Sequence, residues 1–246
     1  MRRRIRSANP QPRHSSMPES GRVSMKNIVV IAPHPDDETL GCGGTLFRLR
    51  AEGKRIHWIR VTQMSPRSGY SVSSISRREK EIKAIEKFYR FNSSWDLGFS
   101  PCSLDQIPKS DLIFKIKKVI NEIKPDTLFV PFPGDAHSDH RAAFDAVLTA
   151  AKWFRAPSVK NIYTYETLSE TGFKLDPTQK SFVPNLYINI TSFLQKKINA
   201  MKTYQSEWGK HPFPRSADTM KALALLRGSE CGVKAAEAFM ILRETR

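Results

Sequence analysis

The stretch PHPDDE, residues 33–38, places one imidazole and three carboxylates within five consecutive positions. His34 and Asp37 are three positions apart, so both side chains can face one point in a tight turn that opens a helix. Imidazole nitrogens and carboxylate oxygens are ordinary ligands of zinc. Asp36 and Glu38 then remain as candidates for a carboxylate that takes a proton from an attacking water.

A second stretch, GDAHSDHRAA at residues 134–143, repeats this spacing with His137 and His140. Two histidines and one aspartate leave a position open for water, which is the composition of a catalytic zinc site. Water on zinc has a pKa near 7 and can attack a carbonyl carbon. The spacing does not decide which of the two histidines binds metal, and the other is free to stabilise an oxyanion or a leaving amine. Buried Asp and His at strand ends also often only cap helices, which is the alternative for either stretch alone.

The elements that must position these residues follow from the hydrophobic pattern. Runs rich in β-branched residues predict strands at 27–32, 56–61, 127–132, 162–166, 186–190 and 238–242. Helical periodicity predicts helices at 39–51, 77–89, 111–123, 140–153, 192–204 and 217–226. This alternation predicts an α/β fold, a single Rossmann-like domain whose mostly parallel sheet carries helices on both faces. Both stretches then follow strands at the carboxyl edge of the sheet, where such folds form their sites.

Composition bounds the function further. The 246 residues carry a formal net charge of +16, which is compatible with nucleic acid, anionic lipid or an acidic substrate as partner. The lysines are scattered along helices rather than clustered with aromatic residues, so we expect no nucleic-acid partner. No apolar run is long enough for a transmembrane segment. Three cysteines without a CxxC pair predict no disulfide framework and a cytoplasmic location.

Residues 1–24 differ from the rest of the chain. They contain six arginines and one glutamate among serines and prolines, without apolar periodicity. This composition predicts a basic disordered extension, with the folded domain at residues 25–246. Two interpretations of the extension stay open: a tail that contacts phosphates or a membrane, or an over-long reading of the gene with Met25 as the natural start.

The two motifs together resemble those of the zinc-dependent de-N-acetylases of the LmbE and PIG-L superfamily. PHPDDETLGCGGTL and PGDAHSDHRAA carry the resemblance, and the later segment RGSECGVKAAEAF is similar to the family's closing segment. Members remove acetyl groups from molecules that bear N-acetylglucosamine. The resemblance covers about Lys26 to Arg243. It implies a metal-dependent amidohydrolase with one Zn²⁺ per chain, or another divalent metal, and a small N-acetylated sugar or glycoconjugate as substrate. It leaves the oligomeric state open.

The resemblance also implies roles for individual residues. Asp36 would be the general base toward the attacking water. His137 would stabilise the oxyanion or protonate the leaving amine, and Asp139 would orient His137. Glu38 would brace the loop through backbone hydrogen bonds. The implied metal ligands are His34, Asp37 and His140.

Substrate contacts are expected from two further residues. Arg78 with Glu81 fits an Arg-x-x-Glu pattern that family members often carry, and the resemblance implies that this arginine faces the substrate. The alternative is an ion pair at helical spacing on the surface. Arg67, in the preceding loop, is a weaker candidate. His211, in GKHPFPRS, is positioned to touch substrate from a loop, or is a simple loop histidine.

Two other functions compete. A metal-dependent phosphoesterase would use similar loops, usually with two metals. Only Glu166 and Asp135 are available as additional carboxylates, which counts against this activity. A nucleic-acid-binding module is suggested by the isoelectric point near 9.9 alone.

Overall fold

The computed structural model describes residues 25–173, 178 and 181–245, so the predicted extension at residues 1–24 lies outside the described part. Its strands are β1 (Asn27–Ala32), β2 (Arg55–Thr62), β3 (Ser93–Phe99), β4 (Thr127–Pro131), β5 (Asn161–Tyr165), β6 (Leu186–Asn189) and β7 (Ala236–Arg243). Its helices are α1 (Asp37–Ala51), α2 (Val72–Tyr89), α3 (Lys109–Ile123), α4 (Ser138–Ala150), α5 (Leu194–Met201) and α6 (Ala217–Cys231).

The strands form one seven-stranded sheet in the order β3-β2-β1-β4-β5-β7-β6. Neighbours from β3 to β5 pair in parallel, whereas β7 runs antiparallel to both β5 and β6. The chain moves outward from β1 through β2 to β3, and then returns to place β4 on the other side of β1. This change of direction leaves a crevice at the carboxyl ends of β1 and β4. The α/β fold with a mostly parallel sheet is therefore confirmed.

The sheet is buried on both faces, which explains why its central strands are continuously apolar. In β1, Ile28 and Val30 face a core shared with α1, α2, α5 and α6. Val29 and Ile31 face the opposite core, which α3 and α4 cover. Among the described residues no helix is both long and apolar enough to cross a membrane.

Strand β3 is the element that the hydrophobic pattern did not predict. Its sequence SSWDLGF buries only Leu97, because β3 lies at the edge of the sheet and pairs with β2 alone. Helix boundaries also differ from the prediction. Helix α4 ends at Ala150, and Trp153 lies beyond it with 73% of its surface exposed. Helix α6 continues past Leu226 until Gly232 adopts the left-handed conformation that ends it.

Helix α1, whose first turn carries Asp37, is kinked and very closely packed. Cys42 interrupts it with φ of −138° and ψ of 18°. On either side of the kink, glycines lie against side chains of neighbouring strands and loops. A Cβ added at Gly41 would overlap the ring of Tyr165, and one at Gly44 would lie 2.8 Å from Ile190. The glycines of GCGG therefore allow α1 to approach the sheet.

A buried ion pair occupies the backbone gap that the kink opens. The ammonium of Lys197 donates to the carbonyl of Leu40 at 2.8 Å and to Glu237 at 2.6 Å. The Glu237 carboxylate in turn accepts the backbone N–H groups of Gly44 at 2.9 Å and Thr45 at 2.7 Å. The pair thus satisfies backbone groups that the kink removes from the regular helical pattern, and ties α1 to α5 and β7.

We predict that Glu237→Ala lowers the free energy of unfolding by about 3–5 kcal/mol, because it leaves the buried Lys197 charge without a counter-ion and two buried N–H groups without an acceptor. Urea denaturation followed by circular dichroism measures this loss. The control is Glu230→Ala, which removes the ion pair between Glu230 and Arg227. Because the Glu230 side chain is one-third exposed, this variant should lose less than about 1 kcal/mol of unfolding free energy. Equal losses in the two variants would contradict the role of Glu237 at the kink.

Candidate metal centre and active site

The turn between β1 and α1 has an unusual backbone at Asp36, where φ is 137°. A non-glycine residue in this region is strained and persists only when neighbouring groups hold it. The Asp36 N–H donates to the Glu38 carboxylate at 3.1 Å, and the Asp36 carbonyl accepts from the N–H of Thr39 and of Leu40 at 2.9 Å. Glu38 also accepts from the Tyr204 hydroxyl at 2.9 Å. Glu38 therefore braces the turn, as the family resemblance implied.

The structure brings His34, Asp37 and His140 together across the crevice between β1 and β4. The Asp37 Oδ2 atom lies 3.4 Å from His34 Nδ1 and 3.3 Å from His140 Nε2. A tetrahedral zinc ion with bonds of about 2.0–2.2 Å holds its ligand atoms roughly 3.3–3.6 Å apart. His140 Nε2 is buried and forms no hydrogen bond among the described residues. These three residues therefore fit a zinc ion.

Two carboxylates hold the histidine rings in this orientation. Asp135 Oδ2 lies 2.7 Å from His140 Nδ1, and Asp135 is itself bonded by the hydroxyl of Thr171. Asp139 Oδ2 lies 2.9 Å from His34 Nε2. Each contact leaves the other ring nitrogen directed at Asp37. Carboxylates behind metal-binding histidines fix the tautomer in this way and raise the basicity of the ligand.

The charges of the cluster favour a cation. Burial alone would raise the pKa of Asp37, but His140 and His34 outweigh it and hold that pKa well below its ordinary range. Burial would likewise lower the pKa of His140, yet Asp37 and Asp135 outweigh it and raise that pKa well above its usual value. The carboxylates therefore hold protons on the imidazoles, and a divalent cation would replace those protons.

Asp36 lies beside the cluster rather than in it. Its Oδ2 atom accepts a hydrogen bond of 2.9 Å from Arg215, which also donates to Glu207 at 2.7 Å. Burial raises the pKa of Asp36 to about 8, although Arg215 pulls in the opposite direction. Sequence reasoning missed Arg215. It is one of 40 lysines and arginines, and no local pattern sets it apart.

The Asp139 carboxylate does not hydrogen-bond to His137, the residue that it was expected to orient. Its Oδ2 atom accepts from the N–H of Cys102 at 2.7 Å and contacts His34, but lies 3.9 Å from His137 Nδ1. His137 stands at the N-cap of α4, so its Nδ1 atom accepts the Asp139 backbone N–H at 3.1 Å. The carboxylate of Asp139 thus orients His34, and its backbone orients His137.

This N-cap bond determines the tautomer of His137. Because Nδ1 accepts a hydrogen bond, the neutral ring carries its proton on Nε2, on the side of the exposed Cys102 thiol. Burial and the nearby His34 lower the pKa of His137. The ring is therefore a neutral hydrogen-bond donor near pH 7.

A cavity of about 160 Å³ opens beside the cluster. Asp36 and His137 line it together with Arg78, Arg215 and Glu170. The cavity is small compared with typical ligand pockets, so it has room for one end group of a larger molecule. Its polar and charged walls suit a ligand that is rich in hydroxyl and amide groups.

Of the residues expected to contact substrate, only Arg78 lines the cavity. Arg78 is buried in the cavity wall, donates to the carbonyl of Pro35 at 2.9 Å, and also pairs with Glu81 at 3.4 Å. The ion pair with Glu81 is therefore buried rather than on the surface, and contact between Arg78 and substrate stays a prediction. His211 and Arg67 are exposed, and neither lines the cavity.

The carboxylates considered for a second metal are engaged elsewhere. Glu166 receives two hydrogen bonds from Arg227, at 2.8 and 2.6 Å, and Asp135 holds His140. Another potential ligand group among the described residues consists of His34, His137 and Asp139. It shares His34 with the first group, so the site provides one complete set of metal ligands rather than two independent ones.

Comparison with known proteins finds a matching family model and deacetylases among the relatives. A family model described as PIG-L, GlcNAc-PI de-N-acetylase, matches residues 29–151. The chain is 24% identical to a diacetylchitobiose deacetylase from Thermococcus kodakarensis, over 87% of this chain and 82% of that protein. It is 29% identical to a probable N-acetyl-alpha-D-glucosaminyl L-malate deacetylase 2 from Bacillus cereus, over 74% and 84%. A conserved protein from Thermus thermophilus has the same fold, with a TM-score of 0.73, 27% identity, and coverage of 90% and 97%.

We predict that metal-stripped protein takes up one zinc ion per chain, and that Asp37→Asn or His140→Ala lowers the affinity at least about tenfold because each removes a ligand. Competitive titration with a chromogenic chelator measures the affinity. Asp36→Asn is the matched control, since it changes the adjacent carboxylate and should retain the metal. If Asp36→Asn lost zinc while Asp37→Asn and His140→Ala retained it, the ligand assignment would be wrong.

Proposed function

The chain belongs to the GlcNAc-PI de-N-acetylase (PIG-L) family, and from this we propose that it removes the N-acetyl group from an N-acetylglucosamine-type sugar or its conjugate. One observation carries the mechanism. Asp36 lies in the cavity next to the cluster of His34, Asp37 and His140, yet Arg215 holds its carboxylate apart from that cluster. This arrangement provides a base that metal binding does not consume.

We assign the metal as Zn²⁺, held by His34, Asp37 and His140. When bound, zinc polarises an amide carbonyl and lowers the pKa of water toward 7. The set of two imidazoles and one carboxylate, with a cavity beside it, supports a catalytic rather than a structural ion.

In this proposal Asp36 accepts the proton of the attacking water. A general base is most effective when its pKa lies near the working pH, and burial raises the pKa of Asp36 to about 8. Arg215 has two effects on the carboxylate. Its positive charge favours the ionised form, and its hydrogen bond directs one oxygen, leaving the other available to the water.

His137 serves as the hydrogen-bond donor on the opposite side. The carbonyl oxygen of the amide becomes negative when the carbon becomes tetrahedral, and a preorganised N–H group stabilises that charge. His137 Nε2 carries such a proton because Nδ1 accepts the backbone N–H of Asp139. When the tetrahedral species collapses, the departing amine needs a proton. His137 delivers it as an imidazolium: the ring first takes up the proton that Asp36 removed from the water, passes a proton to the amine, and returns to its neutral form.

The substrate class rests on the cavity and on the relatives. Arg78, Arg215, Glu170 and Glu207 present both donors and acceptors to the cavity, which suits the hydroxyl groups of one sugar ring. The relatives named as diacetylchitobiose and glucosaminyl-malate deacetylases support an N-acetylated amino sugar. We place the hydrolase domain at residues 25–246. The three cysteines are free, which supports a reducing compartment such as the cytoplasm.

We predict that zinc-loaded protein releases free amine from at least one compound in a panel of N-acetylated sugars, nucleotide sugars and glycolipids. Asp36→Asn should lower kcat by about 10²- to 10⁴-fold, the usual contribution of a general base. A fluorogenic amine reagent measures the release, and zinc content is determined on the same samples. Zinc-loaded protein that releases no amine from any compound, but cleaves phosphate esters, would replace this proposal with a phosphoesterase.

We predict a different signature for His137→Gln. The amide of glutamine keeps a hydrogen-bond donor but cannot deliver a proton to the leaving amine. The kcat of this variant should fall about 10²-fold or more for substrates with a poor amine leaving group. It should fall much less for an activated ester of the same acetyl group, whose leaving group departs without a proton. Parallel assays with the two substrates measure the ratio. An equal loss on both substrates would assign His137 to oxyanion stabilisation alone.

A further inference from the structure

The edge of the sheet opposite the cavity carries a row of basic side chains. Each of the five neighbouring parallel strands begins beside an exposed lysine or arginine. In the order β3, β2, β1, β4, β5 these residues are Arg90, Arg55, Lys26, Lys124 and Lys160. Strands lie about 4.8 Å apart, so the row extends over roughly 19 Å. None of the five is paired with a carboxylate in the part of the chain that the structure describes.

Two large aromatic side chains project from the same edge. Trp153 and Phe154 lie in the turn between α4 and β5, with 73% and 60% of their surfaces exposed. Exposed Lys152 and Arg155 flank them. Their ring centroids are 5.8 Å apart and the rings meet edge to face. We call this turn and the basic row together the basal edge.

The turn that carries the aromatic pair is held in place. Arg243, at the end of β7, donates to the carbonyl of Ala151 at 3.0 Å and to that of Val159 at 2.9 Å. Along the chain, Ala151 precedes the aromatic pair and Val159 follows it. Trp153 and Phe154 are therefore exposed on a turn that hydrogen bonds hold in place.

Acidic groups near the basal edge do not neutralise it. The Asp126 carboxylate accepts the backbone N–H groups of Lys26 and Asn27, both at 2.8 Å. Glu52 is paired with Arg48 at 3.0 Å. Glu122 is the exposed acid at the end of α3. Glu244, beside Arg243, accepts a hydrogen bond from the Tyr163 hydroxyl at 3.2 Å. The carboxylates of Asp126, Glu122 and Glu244 keep their charge but are outnumbered by the seven cations of the edge, so positive charge is in excess.

We propose that the basal edge docks on a membrane surface that contains anionic phospholipid. Lysines and arginines close to such a surface gain from its negative potential. Tryptophan and phenylalanine beside them can enter the interface between headgroups and acyl chains. A nucleic acid fits the pair less well. Bases stack on open ring faces, whereas these two rings pack edge to face.

Docking in this orientation directs the cavity away from the lipid. Helix α4 begins at the site, at Ser138, and ends before the aromatic turn. Its 13 residues span about 20 Å. If the proposed deacetylase activity holds, the substrate then enters from the aqueous phase.

The test is flotation of the full chain with vesicles of phosphatidylcholine alone or mixed with phosphatidylserine. We expect binding only to the mixed vesicles, and weaker binding at high salt. The double variants Trp153→Ala/Phe154→Ala and Lys124→Glu/Lys160→Glu should each reduce the bound fraction about tenfold or more. Phe114→Ala is the matched control, because Phe114 is 70% exposed on α3 but lies outside the basal edge. Unchanged melting temperatures establish that the variants fold.

Two vesicle results would overturn the proposal. In the first, the protein does not bind the mixed vesicles; in the second, it binds them but neither double variant reduces the bound fraction. Binding to duplex DNA that Lys124→Glu/Lys160→Glu abolishes, without vesicle binding, would assign the edge to nucleic acid. A dimer that Trp153→Ala/Phe154→Ala dissociates, without vesicle binding, would assign it to a second copy of the chain. Amine release from soluble substrate should be unchanged in all variants, so failure of docking is distinguishable from failure of the proposed activity.

Discussion

The Asp37 carboxylate is the junction on which the site depends. One of its oxygens accepts the backbone N–H of His34 at 2.8 Å and lies within 3.4 Å of ring nitrogens of His34 and His140. It therefore joins the loop after β1 to the loop after β4, which come together only in the folded sheet. Because the carboxylate is buried, it needs positive charge close by, and the surrounding histidines or a cation must supply that charge. Metal affinity and the alignment of the two loops are consequences of the same requirement.

The packing of α1 places this carboxylate. The helix begins in a strained turn at Asp36, approaches the sheet through its glycines, and kinks at Cys42. Lys197 and Glu237 satisfy the backbone groups that the kink exposes, using residues from α5 and β7. Elements far from the crevice in sequence thus determine where the first turn of α1 lies. A site that must hold ligand atoms to within a fraction of an ångström needs such rigid support.

The two edges of the sheet carry different chemistry. Carboxylates and imidazoles collect at the carboxyl edge, where loops leave β1 and β4. Cations and exposed aromatics collect at the opposite edge, where the chain turns from each helix into the next strand. Parallel topology produces this separation, because every crossover begins at one edge and ends at the other. The cations of the basal edge therefore lie away from the crevice, whereas Arg78 and Arg215 line the crevice itself.

The sequence by itself determined the features that short-range spacing controls. Hydrophobic periodicity located six of the seven strands and all six helices, and missed β3 because a half-exposed edge strand lacks a buried apolar run. The motifs at residues 33–38 and 134–143 identified the groups that gather in the crevice. Only the tertiary structure decided which carboxylate faces which histidine. Asp139 lies two residues from His137 yet its carboxylate contacts His34, 105 positions away. Arg215 reaches Asp36 across 179 positions. Such contacts depend on how whole elements pack, and no local pattern of residues records them.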